Sequence, residues 1–172
     1  MSISTTRGDD GTTDLMHGER VPKDHRRIVC IGAVDELNAF LGDAKCAAAQ
    51  ERTREIIGIV QGELSSLMGI LATVDSDTAD GDRGGGVTVP DAGRLTAWVR
   101  ELEAERPIRG FIVPGACSAS AKLDIARAVC RRAERHIITL DRSEPLQTGG
   151  TILSYMNRLS DLLFMLARSE EC

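Results

Sequence analysis

Between Asp124 and Ile137 the residues lay out a helix with two unlike faces. Ala126, Val129, Cys130, Ala133 and Ile137 recur at the three- and four-residue steps that line up along one side of an α-helix, and Arg127, Arg131 and Arg135 stack at i, i+4 and i+8 on the other. The apolar side must be buried, so this segment exists only as one member of a layered packing. The charged side adds a second condition. Like charges four residues apart repel by about 0.2–0.5 kcal/mol, so the stack needs something negative to face. That is either a polyanionic ligand or carboxylates from another helix or subunit. Asp124 and Glu134 lie on the same side. A solvated face that serves solubility is the other reading of such a charge run.

The same period recurs along the chain. From Asp24 the spacing predicts a helix whose face is Cys30, Ala33, Val34, Leu37, Leu41 and Ala44, with Asp35 and Asn38 on another side. A second helix is predicted from about Glu51 to Ala72, with Ile56, Val60, Leu64, Leu67, Met68 and Leu71 as its stripe. A third starts at Pro90, a residue suited to the first helical turn, with Leu95, Trp98, Val99 and Leu102 facing the core. The arginine helix is the fourth, capped by Ser118 or Ser120 and running to about Thr139. The fifth runs from about Thr151 to Arg168, with Ile152, Met156, Leu159, Leu163 and Leu166 inward and Asn157 and Asp161 on another side. Residues 74–88 form a polar, glycine-rich loop. Residues 1–23 lack periodicity and form an extended arm, with turns at Gly8-Asp9-Asp10-Gly11. With aromatics at only 3%, the core material is Leu, Ile, Val and Ala, which favours helix-on-helix packing. The fold class is therefore all-α: a single domain over residues 1–172, with the arm at 1–23 and a five-helix bundle at 24–172.

Charge and cysteine content narrow the chemistry. The formal net charge of −5 argues against a nucleic-acid partner, which needs a basic surface. An anion site must then be a local basic pocket on an acidic body. No apolar run approaches the ~20 residues of a membrane span. Met1 to Asp10 has no apolar stretch of the kind a signal peptide needs. Five cysteines without CxxC spacing fit free thiols of a cytoplasmic protein. His17, His25 and His136 lack metal-ligand spacing, and there is no Ser-His-Asp or Cys-His grouping. What remains is anion binding. Gly8-Asp9-Asp10-Gly11-Thr12-Thr13 offers close backbone approach and hydroxyl donors, or is simply a flexible tail. Lys23 offers a point charge to a phosphate, or is an exposed lysine. Set beside the arginine helix, these groups would make a triphosphate cradle, with Glu134 near enough to hold Mg²⁺ directly or through water. Asn157 is either part of that cradle or a buried structural hydrogen-bonding group.

Four ordered blocks resemble the PduO-type ATP:cob(I)alamin adenosyltransferases. They are Gly8-Asp9-Asp10-Gly11-Thr12-Thr13 with Gly18-Glu19-Arg20-Val21-Pro22-Lys23-Asp24; Val34-Asp35-Glu36-Leu37-Asn38-Ala39; Val113-Pro114-Gly115 with Ala126-Arg127-Ala128-Val129-Cys130-Arg131-Arg132-Ala133-Glu134-Arg135; and Asn157-Arg158-Leu159-Ser160-Asp161-Leu162-Leu163-Phe164. The resemblance implies a homotrimer with active sites between subunits. It implies transfer of the 5′-deoxyadenosyl group of ATP to cob(I)alamin, giving adenosylcobalamin and triphosphate. It assigns nucleotide contacts to Thr5, Thr6, Arg7, Gly8, Thr13, Asp14 and Lys23 in the arm, to Arg131, Arg132, Ala133, Glu134 and Arg135 on the fourth helix, and to Asn157. Glu134 is the implied Mg²⁺ residue. Asp35 and Arg127 fall where an inter-subunit ion pair forms, and Phe111 where an aromatic packs under the corrin ring. With Arg131, these three form the implied catalytic set. A flavoprotein reductase and an adenosylcobalamin-dependent enzyme are the implied partners.

Three departures bear on turnover. The arm reads Thr5-Thr6-Arg7-Gly8-Asp9, with its arginine one place later than in the usual Thr-Arg-Thr-Gly-Asp. Pro114-Gly115-Ala116 replaces Pro-Gly-Gly. Leu123-Asp124 replaces Leu-His and sets a carboxylate beside Arg127, in competition with Asp35. They favour a second reading: a carrier or sensor that binds corrinoid or ATP without turnover. A purely structural helical oligomer would explain the bundle but not the four polar blocks.

Overall fold

The structure, a computed structural model, describes residues 4–74 and 89–171. The glycine-rich loop predicted at 74–88 lies, apart from Val74, outside the described residues. The arm contains a two-stranded antiparallel hairpin, β1 (Thr12–Asp14) and β2 (Arg20–Pro22), paired Thr12 to Pro22, Thr13 to Val21 and Asp14 to Arg20. A single 3₁₀ turn, Met16–Gly18, joins the strands. Five helices follow: α1 (Arg26–Ala47), α2 (Glu51–Ala72), α3 (Ala92–Glu105), α4 (Ser118–Ser143) and α5 (Gly149–Ser169). The extended arm is thus folded back on itself, because alternating Thr13/Val21 pairing and a turn at Gly18 (φ 88°) satisfy its backbone locally.

α4 lies between α1 and α5, α2 covers α1, and α3 covers α5. The sequence stripes are the buried ones. Val34, Leu37, Leu41 and Ala44 of α1 meet Leu123, Ala126, Cys130, Ala133 and Ile137 of α4, which in turn share a core with Ile152, Met156, Leu159 and Leu163 of α5. Trp98 sits at the edge of that core, half-buried. Helix α2 meets the length-and-composition standard for a membrane span. This corrects the expectation that no segment approaches one. Its inner face, Ile57, Val60, Leu64, Leu67 and Leu71, belongs to the bundle core.

Helix ends differ from expectation where caps decide them. His25 caps α1, its Nδ1 accepting from the Arg27 amide at 3.3 Å. Asp91, next to the predicted Pro90 start, caps α3 through the Gly93 amide at 2.8 Å. Neither Ser118 nor Ser120 caps α4. Cys117 does: the Ser120 amide donates to its Sγ at 3.4 Å and the Cys117 amide donates to Ser120 Oγ at 3.1 Å, a reciprocal pairing that satisfies two otherwise free amides. α4 continues one turn past Thr139 to Ser143. α5 opens two residues early at Gly149, where a Cβ would collide with the Asp141 carboxylate. That carboxylate also accepts the Leu146 amide at 2.9 Å.

Candidate functional site

With its apolar stripe committed to the core, α4 presents its arginines outward. Arg127 and Arg131 line a recess of about 490 Å³ whose other walls are Arg158, Asp161 and Phe164 of α5 and Arg100 of α3. A second recess of about 420 Å³ is lined by Glu134 of α4 and by Ser154 and Asn157 of α5. Thr96 and Arg158 line both, so the two recesses adjoin along the α3–α5 seam. Their size is that of ordinary small-molecule sites.

The charges here are not all balanced. Arg158 is paired with Asp161 at 2.6 Å, and Arg132 with Glu36 of α1. Among the described residues Arg131, Arg135 and Arg100 have no ion-pair partner, and only Asp161 and Glu103 supply negative charge to the first recess. Arg131 and Arg100, unneutralised and lining one recess, suit a polyanion. Arg132, a nucleotide contact by resemblance, thereby also joins α4 to α1. Ala133 is fully buried in the core, so its side chain is turned away from the recess. Asn157 is exposed and not a buried structural group, which removes that alternative. Its Nδ2 donates to Glu134 Oε1 at a long 3.5 Å.

The arm residues form a second cluster. Arg7 pairs with Asp14 at 3.3 Å. Arg20 pairs with Asp10 at 3.2 Å and donates to the Arg7 carbonyl at 2.9 Å. Asp10 accepts from the Thr12 amide and hydroxyl at 2.9 and 2.7 Å, and these bonds hold its carboxyl below the usual range. The Lys23 amide donates to the Gly11 carbonyl at 2.9 Å, and a Cβ at Gly8 would stand 3.0 Å from Lys23 Nζ. Gly8 therefore lets the lysine lie against the loop. Thr5 and Thr6 are exposed, with the Thr6 hydroxyl donating to the Thr5 carbonyl at 2.7 Å, and Thr13 sits in β1. The predicted arm set is gathered in one place, but the arm lends no described residue to the lining of either α4–α5 recess. Within one chain the arm cluster and the recesses are therefore distinct features.

Phe111 is 94% exposed and Val113 76%. Phe111 is thus not a core residue, and an apolar step stands on the surface just before α4. Asp35 is exposed on α1. Arg127 Nε donates to Asp124 Oδ1 at 3.2 Å, leaving its two terminal nitrogens without a hydrogen-bond partner among the described residues. Asp124 therefore takes one edge of the guanidinium and leaves the other open, so it does not exclude Asp35.

No group of three or more His, Cys, Asp or Glu side chains suited to a metal ion occurs among the described residues. One carboxylate, Glu134, fits Mg²⁺ nonetheless, because that ion keeps most of its waters and takes the rest of its oxygens from phosphates. Two of the thiols are not candidate nucleophiles: burial pushes Cys30 up to about 11 and Cys130 higher still. Sequence reasoning missed Thr96 and Arg100. On α3 they are two ordinary outward positions, and nothing local marks them as facing Arg158.

Residues 3–170 match the family model described as cobalamin adenosyltransferase. The chain is 37% identical over 172 residues to the corrinoid adenosyltransferase PduO of Salmonella typhimurium, covering 99% of this chain and 50% of that one. It is 39% identical over 168 residues to a cobalamin adenosyltransferase of Cupriavidus metallidurans, covering 96% and 86%. The chain spans about half the length of the PduO relatives it matches. Among solved structures it superposes on a variant PduO-type ATP:corrinoid adenosyltransferase from Lactobacillus reuteri complexed with cobalamin and ATP. There the TM-score is 0.88 and the identity 28%, covering 99% of this chain and 93% of that one.

Proposed function

The chain belongs to the cobalamin adenosyltransferase family, and we propose that it transfers the 5′-deoxyadenosyl group of ATP to cob(I)alamin, giving adenosylcobalamin and triphosphate. The observation that carries this is Arg131 on α4, which has no ion-pair partner among the described residues and lines a recess of about 490 Å³, with the equally unpaired Arg135 one turn further along the helix. Cob(I)alamin is a strong nucleophile, so the substrate brings the electron pair and no general base is required. Cobalt attacks C5′ of ATP, the C5′–O bond breaks, and its electrons leave with the triphosphate. The protein's tasks are to hold the two substrates in line and to stabilise the departing anion. Arg131 and Arg135 meet the second task. Glu134 would hold Mg²⁺, whose charge on the phosphate oxygens serves the same end, and Asn157 sits beside it. The lack of a catalytic histidine fits this chemistry.

On this reading the arm cluster and the recess are halves of one site, completed by a second chain. The arm of one subunit, with Thr5, Thr6, Arg7, Gly8, Thr13, Asp14 and Lys23, closes over the α4–α5 recess of the next in a homotrimer. Asp35 of one subunit takes the open edge of Arg127 in its neighbour. Phe111 and Val113 face the corrin. A reductase supplies cob(I)alamin, an adenosylcobalamin-dependent enzyme receives the product, and the reaction runs in the cytoplasm. The test is spectroscopic. Cob(I)alamin, ATP and Mg²⁺ under strong reductant should give the adenosylcobalamin spectrum with one triphosphate per turnover. Saturable corrinoid and ATP binding with no conversion would establish the carrier reading instead.

A further inference from the structure

Asp124 is a carboxylate on the core side of α4, 5% exposed, between Leu123 and the buried Ala126. A buried carboxylate is tolerated only when paired, and this one is paired twice. Its Oδ2 accepts from Arg168 Nη2 on α5, and its Oδ1 from Arg127 Nε at 3.2 Å. Arg168 is 2% exposed. Its guanidinium carbon stands 5.1 Å from the centroid of Phe164, and Nη2 also meets Glu171 Oε1 at 3.1 Å. Phe164 is itself a wall of the recess. The line of charges Glu171–Arg168–Asp124–Arg127 therefore starts at the C-terminal end of α5 and ends at the recess.

Stability is a poor reason for this network. Arg168 Nε and Nη1 are buried with no hydrogen-bond partner, and buried ion networks with unsatisfied members are often no better than apolar packing of the same volume. What the network does achieve is geometric. A surface arginine on a helix samples several rotamers of a long stem. Holding Nε fixes both the stem and the plane of the guanidinium, and because the hold is on Nε alone, the terminal pair is left for another group.

We propose that Asp124 is a positioning residue, anchored by buried Arg168, that aims the terminal edge of Arg127 into the α4–α5 recess. It does not touch substrate. It acts through Arg127 and couples that arginine to the packing of α5 on α4. The kinetic part of the test rests on the adenosyl-transfer reading; the spectroscopic part does not.

The experiment compares the full-length protein with Asp124→Asn in two backgrounds, native and Arg127→Lys, the latter lacking an Nε edge. In the native protein the Nε–Hε group of Arg127 should give a slowly exchanging ¹⁵N–¹H resonance, assigned by its absence in Arg127→Lys, and Asp124→Asn should abolish it. Turnover of cob(I)alamin should fall about tenfold in the native background, the size expected for a charge-assisted contact. In the Arg127→Lys background it should change less than twofold. An unchanged Arg127 resonance in Asp124→Asn, or an equal loss of turnover in both backgrounds, would overturn the proposal. Should Asp124→Asn not fold, Asp124→Leu with Arg168→Met removes the buried pair together. That protein is expected to fold and to show the same tenfold loss. Failure of both to fold would assign the network to folding and overturn the proposal. If the native protein makes no adenosylcobalamin, the reaction reading fails, and the resonance still decides the role of Asp124.

Discussion

Replacing Phe111 by alanine separates a core role from a ligand-facing role, because the two predict opposite patterns. Truncating a core phenylalanine costs about 3–5 kcal/mol, mostly through the cavity left behind. Phe111 is 94% exposed, so there is no cavity to make, and the cost to the chain's folding should stay within the ~0.5 kcal/mol typical of surface changes. In the ligand-facing role, what is lost is contact with the corrin. Burying a phenylalanine side chain completely is worth about 1.5–3 kcal/mol, or roughly a ten- to 150-fold change in affinity at about 1.4 kcal/mol per decade. A ring under the corrin also keeps water or the nucleotide base from cobalt's lower face, and loss of that axial ligand eases one-electron reduction. Phe111→Ala should therefore keep its melting temperature and ATP affinity. Turnover that starts from cob(II)alamin should fall far more than turnover from pre-reduced cob(I)alamin. Electron paramagnetic resonance of cob(II)alamin bound with ATP reads the cause directly: the four-coordinate signal should vanish. A wild-type four-coordinate signal in the variant, or equal damage to both assays, would refute the reasoning. A large loss of stability would move the ring into a contact between subunits.

Arg131→Ala and Lys23→Ala should each lower kcat/KM for ATP about ten- to a hundredfold, the cost of one charge-assisted contact of about 1.5–3 kcal/mol, and Asn157→Ala should lower the same parameter. Near-native efficiency in all three would put the site elsewhere. Asp35→Asn, an exposed change that would be silent in a single chain, should weaken trimer assembly or activity, because the neighbouring Arg127 would keep only Asp124 on Nε and lose the carboxylate at its terminal edge. A stable, active monomer in light scattering would argue against the shared site. Alkaline pH should destabilise the fold. Burial raises the Cys30 thiol from 9.0 to about 11 and raises Cys130 and Tyr155 as well. A raised pKa favours the protonated folded form, so this stability is complete below pH 9 and is lost as pH climbs through the folded values, at about 1.4 kcal/mol per pH unit per group. Thermal melts across pH 8–11 should show that fall, and Cys30→Ala should make it shallower.

The five helices, their inward stripes and the outward arginine stack were legible in the residues because side-chain direction on a helix is a local property, set by 100° per residue. Leu37, Ile137 and Met156 are buried where the period places them. The hairpin in the arm was less legible. Its strands are three residues long, too short for period two to rise above chance. The Cys117 cap escaped because a thiol is a weak acceptor that composition does not rank beside serine.

Periodicity could say that Arg127, Arg131, Arg132 and Arg135 face outward, but not which of them stay free. Glu36 takes Arg132 across 96 residues of chain, and Asp124, read as a member of the charged face, turns inward to Arg168. Arg100 and Thr96 meet Arg158 only because α3 covers α5. The order of the residues sets the inventory of charges and the helix side that carries each one. Which charges are neutralised, and which enclose a recess together, was decided by tertiary packing. Ion pairing and cavity shape depend on distances between helices far apart in the chain, and no local period encodes those distances.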